Sequence, residues 1–405
     1  MMSTKPEPEA HASPELGVYV HFPWCLKKCP YCDFLSVAAE RRDLPHEAYA
    51  DTVIAELERR AESLAAAKLV SVFFGGGTPS LWDPSALGRV LERIYQLIPA
   101  GDTEVEVTVE CNPTSFDVER GRALQSVGVN RVSIGVQGLD AERLQFLGRL
   151  HDVESGLAAV RDAMNSGMPR VSADFIFGVS GQSAAAAARE AAIMAELGTT
   201  HLSAYALTIE PGTLFGALAR KGKLPLLEDA AVADSFVAVE ETLERAGFEH
   251  YEVSNYAKKG DRSRHNLGYW IGRSYLGLGC GAWGTLNAPS GRYRYRNTPS
   301  PERYLAGRDS YAHADLSQEG PLVGSFEALA PETALAERIM LGLRLADGID
   351  LAHAASELGT ELWTPARARA RDRLLARGTL ELRGQVASIP KRHWLFADGI
   401  IAELM

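Results

Sequence analysis

Four times in this chain a helix-like stretch ends at a glycine and turns at once into a short strand-like run. These are Gly128 in GVNRVSIG, Gly167 in GMPRVSAD, Gly198 in GTTHLSAY and Gly247 in GFEHYEVS. Glycine supplies the left-handed residue that closes a helix, and a period of roughly 30–50 residues suits one βα unit per repeat. Strand patterns near residues 17–22, 69–75, 104–110, 130–136, 171–177 and 201–207 alternate with helical ones. Tyr49, Val53, Leu57, Ala61 and Leu64 share one helical face and Leu87, Val90, Leu91, Ile94 and Leu97 another. Asp83-Pro84 reads as a helix start, a cap followed by proline in the first turn. Six such units predict an α/β fold, a partial, open (β/α)6 barrel of TIM type over residues 17–255.

Strand three, EVEVTVE, alternates strictly. Val105, Val107 and Val109 can pack outward on helices, while Glu104, Glu106, Thr108 and Glu110 point the other way. A barrel that only packs its interior fills it with branched apolar side chains, so a polar wall points to a cavity; an edge strand with one wet face is the other reading. After residue 255 the alternation fades into the Gly- and aromatic-rich SRHNLGYWIGRSYLGLGCGAWG and a proline-bearing connection to about residue 330. Residues 331–405 read as a small α+β unit, with helices near 331–346, 350–358 and 363–377 and short strands around 379–389 that turn at Arg383-Gly384. That order resembles a winged-helix domain, here a lid or partner surface, because its basic residues are matched by acids. Residues 1–16, rich in Pro, Glu and Ala, form a disordered tail without a signal-peptide core.

With 405 residues, 46% of them hydrophobic, the chain can bury a large core and form one large domain plus a small one. No apolar run reaches transmembrane length. A net charge of −10 disfavours sequence-independent nucleic-acid binding.

Cys25, Cys29 and Cys32 lie in YVHFPWCLKKCPYCDF, just after the first strand. A [4Fe–4S] cluster takes one thiolate per iron, so three thiolates leave one iron open to an outside ligand, as catalytic zinc keeps an open position. A single zinc would need a fourth ligand, for which His21 is the near candidate, and three unrelated buried thiols are the remaining reading. Three of the five cysteines in metal-type spacing argue for a reducing, cytoplasmic compartment over a disulfide framework.

C-x3-C-x2-C at this place resembles the radical S-adenosylmethionine (SAM) superfamily, whose members chelate the methionine end of SAM at the open iron. The resemblance implies a [4Fe–4S] cluster and SAM as cofactors. Other unusual residues also follow the strand ends, where βα barrels hold ligands. Gly75-Gly76-Gly77-Thr78-Pro79 follows strand two and resembles the superfamily's element beside the SAM amino group, its glycines admitting a close ligand approach. Glu110 ends strand three, Gln137 follows strand four, Arg149 comes after the next short helix and Asp174 lies in strand five. Glu110 and Asp174 suit ribose hydroxyls or the amino group, and Arg149 the SAM carboxylate. Tyr19 either packs on the cofactors or is core.

FFGGGTPS, ECNP, RVSIGVQ, YALTIEPGT, YEVSNYA, RHNLGYW and YLGLGCGA together resemble the oxygen-independent coproporphyrinogen-oxidase-like family, over about residues 17–400. Carried over from that family, the cluster ligands are Cys25, Cys29 and Cys32, and the SAM contacts Tyr19, Gly76, Gly77, Thr78, Glu110, Gln137, Arg149 and Asp174. The true oxidase has a further cysteine two residues after the third, where this chain has Phe34, and a longer segment before the cluster loop than the 24 residues preceding Cys25 here.

Those departures favour the family's heme-carrier branch, and RHNLGYW is similar to its heme-associated H-N-x-x-Y-W element. The implied function is a chaperone that binds heme and transfers it to acceptor proteins, membrane-associated respiratory proteins among them. A radical SAM enzyme acting on a porphyrinogen is the alternative, and whether SAM is cleaved stays open. Neutral His265 suits the heme iron, Tyr269 and Trp270 its face, and Arg262, Arg264, Arg292, Arg294 and Arg296 its propionates. The other readings are a structural histidine and, for RYRYRN, a strand with solvent-facing arginines. Cys111 and Cys280 read as small buried fillers. Dimerisation is open.

Overall fold

The computed structural model describes residues 14–62, 64, 67–288 and 291–405. The expected tail falls, for residues 1–13, outside the described residues, while Glu15 already opens the first strand. Six parallel strands carry the repeat: β1 (Glu15–Phe22), β2 (Lys68–Gly76), β3 (Glu106–Cys111), β4 (Arg131–Gln137), β5 (Arg170–Phe177) and β6 (His201–Ala206). Helices follow them, among them His46–Ala61, Pro84–Leu97, Val118–Ser126, Val153–Asn165, Ala184–Glu196 and Asp229–Arg245. Gly128, Gly167, Gly198 and Gly247 all have positive φ, from 84° to 102°, as helix-closing residues require. Asp83 caps its helix, accepting from the amides of Ser85 and Ala86, with Pro84 in the first turn.

The six strands share one two-residue period. Val18 and Val20, Val72 and Phe74, Val107 and Val109, Val132 and Ile134, Ala173 and Phe175, and Leu202 and Ala204 all lie in the main core. Full burial of each large apolar side chain contributes about 1.5–3 kcal/mol. Of the intervening residues Tyr19, Phe73, Ser133, Asp174 and Ser203 line an inner chamber, and strand three is an interior strand between β2 and β4 whose Glu110 reaches it.

The sheet does not close. Further strands are β7 (Glu249–Glu252), β8 (Asn255–Ala257), β9 (Ser274–Leu278), β10 (Trp283–Ala288), β11 (Gly291–Asn297) and β12 (Val323–Ala328), and the twelve-stranded order is β12-β11-β10-β9-β1-β2-β3-β4-β5-β6-β8-β7. The stretch expected as an extension and connection therefore builds one whole side of the sheet, with β9 parallel to β1 and β10–β12 antiparallel beyond it. Buried Glu56 secures that side: its carboxylate pairs with Arg60 and accepts from Asn297, Tyr304 and the Gly279 amide.

Residues 331–405 have their own core around Leu335, Ile339, Leu374 and Trp394. The order is helix Pro331–Gly342, strand Ile349–Asp350, helices Leu351–Leu358 and Pro365–Ala376, then the hairpin Glu381–Arg383 and Val386–Ser388, which is winged-helix order. This unit sits on the β7 end of the sheet, where Trp394 meets His250 edge-on and the Ala346 amide donates to the Tyr251 carbonyl. Among the described residues no helix is long and apolar enough to cross a membrane.

Candidate functional site

The three cysteines lie on a loop closed at its base. Trp24–Cys25 pairs with Val37–Ala38, and the Val37 and Ala39 amides donate to the carbonyls of Pro23 and Cys25. Tyr31 packs with Phe146, Leu147, Ile176 and Phe215 in a small separate core, and the Phe215 amide donates to the Pro30 carbonyl. The far end is held by His21, whose Nε2 lies 2.8 Å from the Leu35 carbonyl. A carbonyl only accepts, so Nε2 carries the proton and Nδ1 accepts from the Tyr19 hydroxyl at 2.8 Å. Both ring nitrogens are thus used, and His21 does not serve as a fourth metal ligand in this arrangement.

All three cysteines line one cavity of ≈ 410 Å³. Among the described residues no three His, Cys, Asp or Glu side chains converge as the ligands of a single ion. A cubane takes thiolates at separate corners, so three sulfurs spread over one cavity wall suit it better than a mononuclear site. Burial pushes the Cys25 thiol up and the Cys32 thiol up to about 11, which disfavours their ionised forms. Arg149 supplies one nearby charge, its Nη1 3.7 Å from the Cys29 sulfur and its Nη2 donating to the Gly135 carbonyl at 2.9 Å.

Gly76, Gly77, Thr78, Glu110, Gln137, Arg149 and Asp174 line the same cavity. The glycines answer first to the protein itself. A Cβ on Gly77 would lie 2.6 Å from the Trp24 carbonyl oxygen, and one on Gly76, at φ 113°, would strike His21. The bared Gly76 amide donates to Glu110 at 3.1 Å. Burial, with Asp174 adding repulsion, pushes the Glu110 carboxyl up to about 7; the Gly76 hydrogen bond and Arg131 oppose it. Asp174 is raised by burial and held back by hydroxyls, Ser133 Oγ lying 2.9 and 3.0 Å from its two oxygens. Gln137 reaches the cavity through a register shift after Gly135 and, among the described residues, is the only non-glycine with positive φ, 69°.

Tyr19 and His265 line a second chamber of ≈ 510 Å³, which meets the first at Asp33, Phe34, Gly76, Glu110, Ser133, Asp174 and Tyr205. RHNLGYW forms a short helix, Arg264–Trp270, tied to the inner wall by Glu106, whose carboxylate accepts from the Arg264 and His265 amides. His265 is buried, its Nδ1 2.9 Å from Ser71 Oγ and its Nε2 2.9 Å from the Tyr269 hydroxyl, and burial holds it neutral with a pKa lowered to about 3. Tyr269 lines the chamber and Trp270 does not; Trp283 takes the aromatic place. Of the five arginines expected around a ligand, Arg296 alone lines it. Cys111 is buried at the edge of the first cavity, and Cys280 is buried with its sulfur 3.4 Å from the Thr298 carbonyl. Arg131, Ser203, Tyr205 and Trp283 were not anticipated, although the alternation seen in strand three recurs in RVSIG, RVSAD and HLSAY.

An open βα barrel with a three-cysteine loop at its strand ends defines a radical SAM protein, and residues 19–189 match the Radical SAM superfamily while residues 329–396 match the HemN C-terminal domain. The chain resembles the structure of coproporphyrinogen III oxidase (HemN) from Escherichia coli, with a TM-score of 0.78 over 97% of this chain and 90% of that one, at 19% identity. It is 39% identical over 308 residues to heme chaperone HemW of Haemophilus influenzae, covering 75% of this chain and 79% of that protein. It is 34% identical over 393 residues to heme chaperone HemW of Mycobacterium tuberculosis, 96% and 94% of the two. The chain belongs to the HemW family.

Proposed function

We propose that this protein binds heme and passes it to acceptor proteins, on a scaffold that holds a [4Fe–4S] cluster through Cys25, Cys29 and Cys32 and SAM in the adjoining cavity. The observation that carries the reading is the second chamber: it opens beside the cofactor cavity, its mouth bears the aromatic rings of Phe34, Trp283 and Tyr205, and it contains His265 and Tyr269. Both cavities fall within the ~300–1,000 Å³ of small-molecule and cofactor sites.

When bound, the cluster supplies an electron and an open iron for the methionyl end of SAM. Glu110 and Asp174 would accept from the SAM amino group and ribose, with Gly76, Gly77, Thr78 and Gln137 shaping the pocket and Tyr19 holding the cluster loop through His21. Arg149 already donates from Nη1 and Nη2; its buried Nε, without a hydrogen-bond partner, is one donor open to a carboxylate. For His265 to ligate heme iron through Nε2, the Tyr269 hydroxyl must first release it.

Anaerobically reconstituted protein titrated with heme tests the reading. A saturable Soret band near one heme per chain, lost in His265→Ala, with transfer to an apo-acceptor, supports it. Absence of the band, or conversion of coproporphyrinogen III to protoporphyrinogen, overturns it.

A further inference from the structure

The arginines of the C-terminal half differ in what they face. Arg262 is paired with Asp347 and Glu249, and Arg294 with Glu327 and Glu337. Arg264 donates to the Glu104 carbonyl, and Arg292 donates to the Gly272 carbonyl and Asn287. Arg296 lies on the same face of β11 as Arg292 and Arg294, four and two residues beyond them, where the strand reaches the chamber. Among the described residues no carboxylate comes within ion-pair distance of it, and its Nε is buried without a hydrogen-bond partner. Its guanidinium carbon sits 5.4 Å from the centre of the Trp283 ring.

A buried guanidinium nitrogen left without a partner costs free energy, and among the described residues none of the chamber's carboxylates, Asp33, Glu110 and Asp174, forms an ion pair with Arg296. Arg131, on the chamber wall, favours the ionised forms of Glu110 and Asp174, though burial raises both carboxyls overall. His21, which feels the Arg296 charge, is held neutral with a pKa lowered to about 4, mainly by burial. The exposed aromatic rings at its edge are Phe34, 60% exposed, and Trp283, 44%, with exposed Asp33 beside Phe34. A ring face that stacks on an arginine holds its planar fork in one orientation, which suits bidentate recognition of a carboxylate.

We infer that Arg296 is the anion anchor of this chamber, gripping a carboxylate on the edge of a flat apolar ligand whose face rests on Trp283 and Phe34. This rests on the heme-binding reading above and names the part of the ligand that is recognised: an acidic side chain of the macrocycle, separately from its iron. Trp283 is a positioning residue, holding the guanidinium in plane.

The test compares binding of heme and of heme dimethyl ester, in which both carboxylates are masked, to the reconstituted full-length protein and to Arg296→Gln, followed by the Soret band. The wild-type protein should favour the free acid by ~10-fold or more, the value of one charge-assisted pair. Arg296→Gln should bind both forms alike, at the level of the ester, while Arg294→Gln keeps the wild-type preference. Arg296→Lys, which keeps the charge without the fork, should be intermediate; it also decides the matter if Arg296→Gln fails to fold, as judged by circular dichroism and iron content. Retention of the full preference in Arg296→Gln or Arg296→Lys overturns the assignment alone. A wild-type protein that binds neither form overturns the heme reading and this inference with it.

Discussion

The Nε2–H of His21 donates to the carbonyl of Leu35 at 2.8 Å, joining the end of the first barrel strand to the residue three beyond Cys32. One imidazole thereby holds the far side of the loop that carries the thiols, and its other nitrogen locks Tyr19 in place. His21→Phe removes both bonds and leaves two part-buried polar groups, the Tyr19 hydroxyl and the Leu35 carbonyl, unpaired. We expect a loss of ~1–3 kcal/mol in urea unfolding and less iron per chain after reconstitution, whereas wild-type iron content would show that the loop holds without this tie.

Glu110 gives a pH signature. Its folded pKa is raised from 4.5 to about 7, so across that window the native state keeps a proton that the unfolded chain releases. Stability from this group is therefore present in full below pH 4.5 and lost as pH rises through 7. Glu110→Gln keeps an oxygen for the Gly76 amide without the buried charge. It should exceed the wild type by on the order of 1–3 kcal/mol at pH 8, with the difference vanishing near pH 4.5, as measured by denaturant unfolding at several pH values.

Gln137 holds a left-handed backbone in the wall of the three-cysteine cavity. Such strain in a non-glycine residue costs of order 1–3 kcal/mol. Gln137→Gly should raise the thermal midpoint while weakening SAM binding several-fold in calorimetry; a variant that changes neither would remove Gln137 from the site.

Tyr269 separates two roles for His265. If His265 ligates heme iron, Tyr269→Phe frees Nε2 and heme affinity holds or rises, while His265→Ala abolishes the low-spin imidazole signature in the Soret and visible bands. If the histidine only supports the fold, both variants lower affinity in proportion to stability and the spectrum of bound heme does not change.

The repeat, the helix-closing glycines, the Asp83 cap and the six-strand barrel were legible because each rests on local periodicity or on a residue's own backbone preference. The cysteine loop and the residues at successive strand ends were legible for a related reason: in a parallel βα arrangement, sequence position fixes which end of the sheet a residue occupies. The side of the sheet built by β9–β12 was not, because β9 pairs with β1 across more than half the chain and Gly-rich strands carry little alternation of their own.

The chain alone thus determined the chemistry available, three thiols and a polar inner wall on one end of a barrel. Only the folded molecule decided its use. It committed His21 to the loop and glycines 76 and 77 to close backbone packing, and it satisfied four of five arginines elsewhere, leaving Arg296 facing the chamber. Partnership between buried polar groups depends on distances set by nonlocal packing, and no spacing along the chain encodes those.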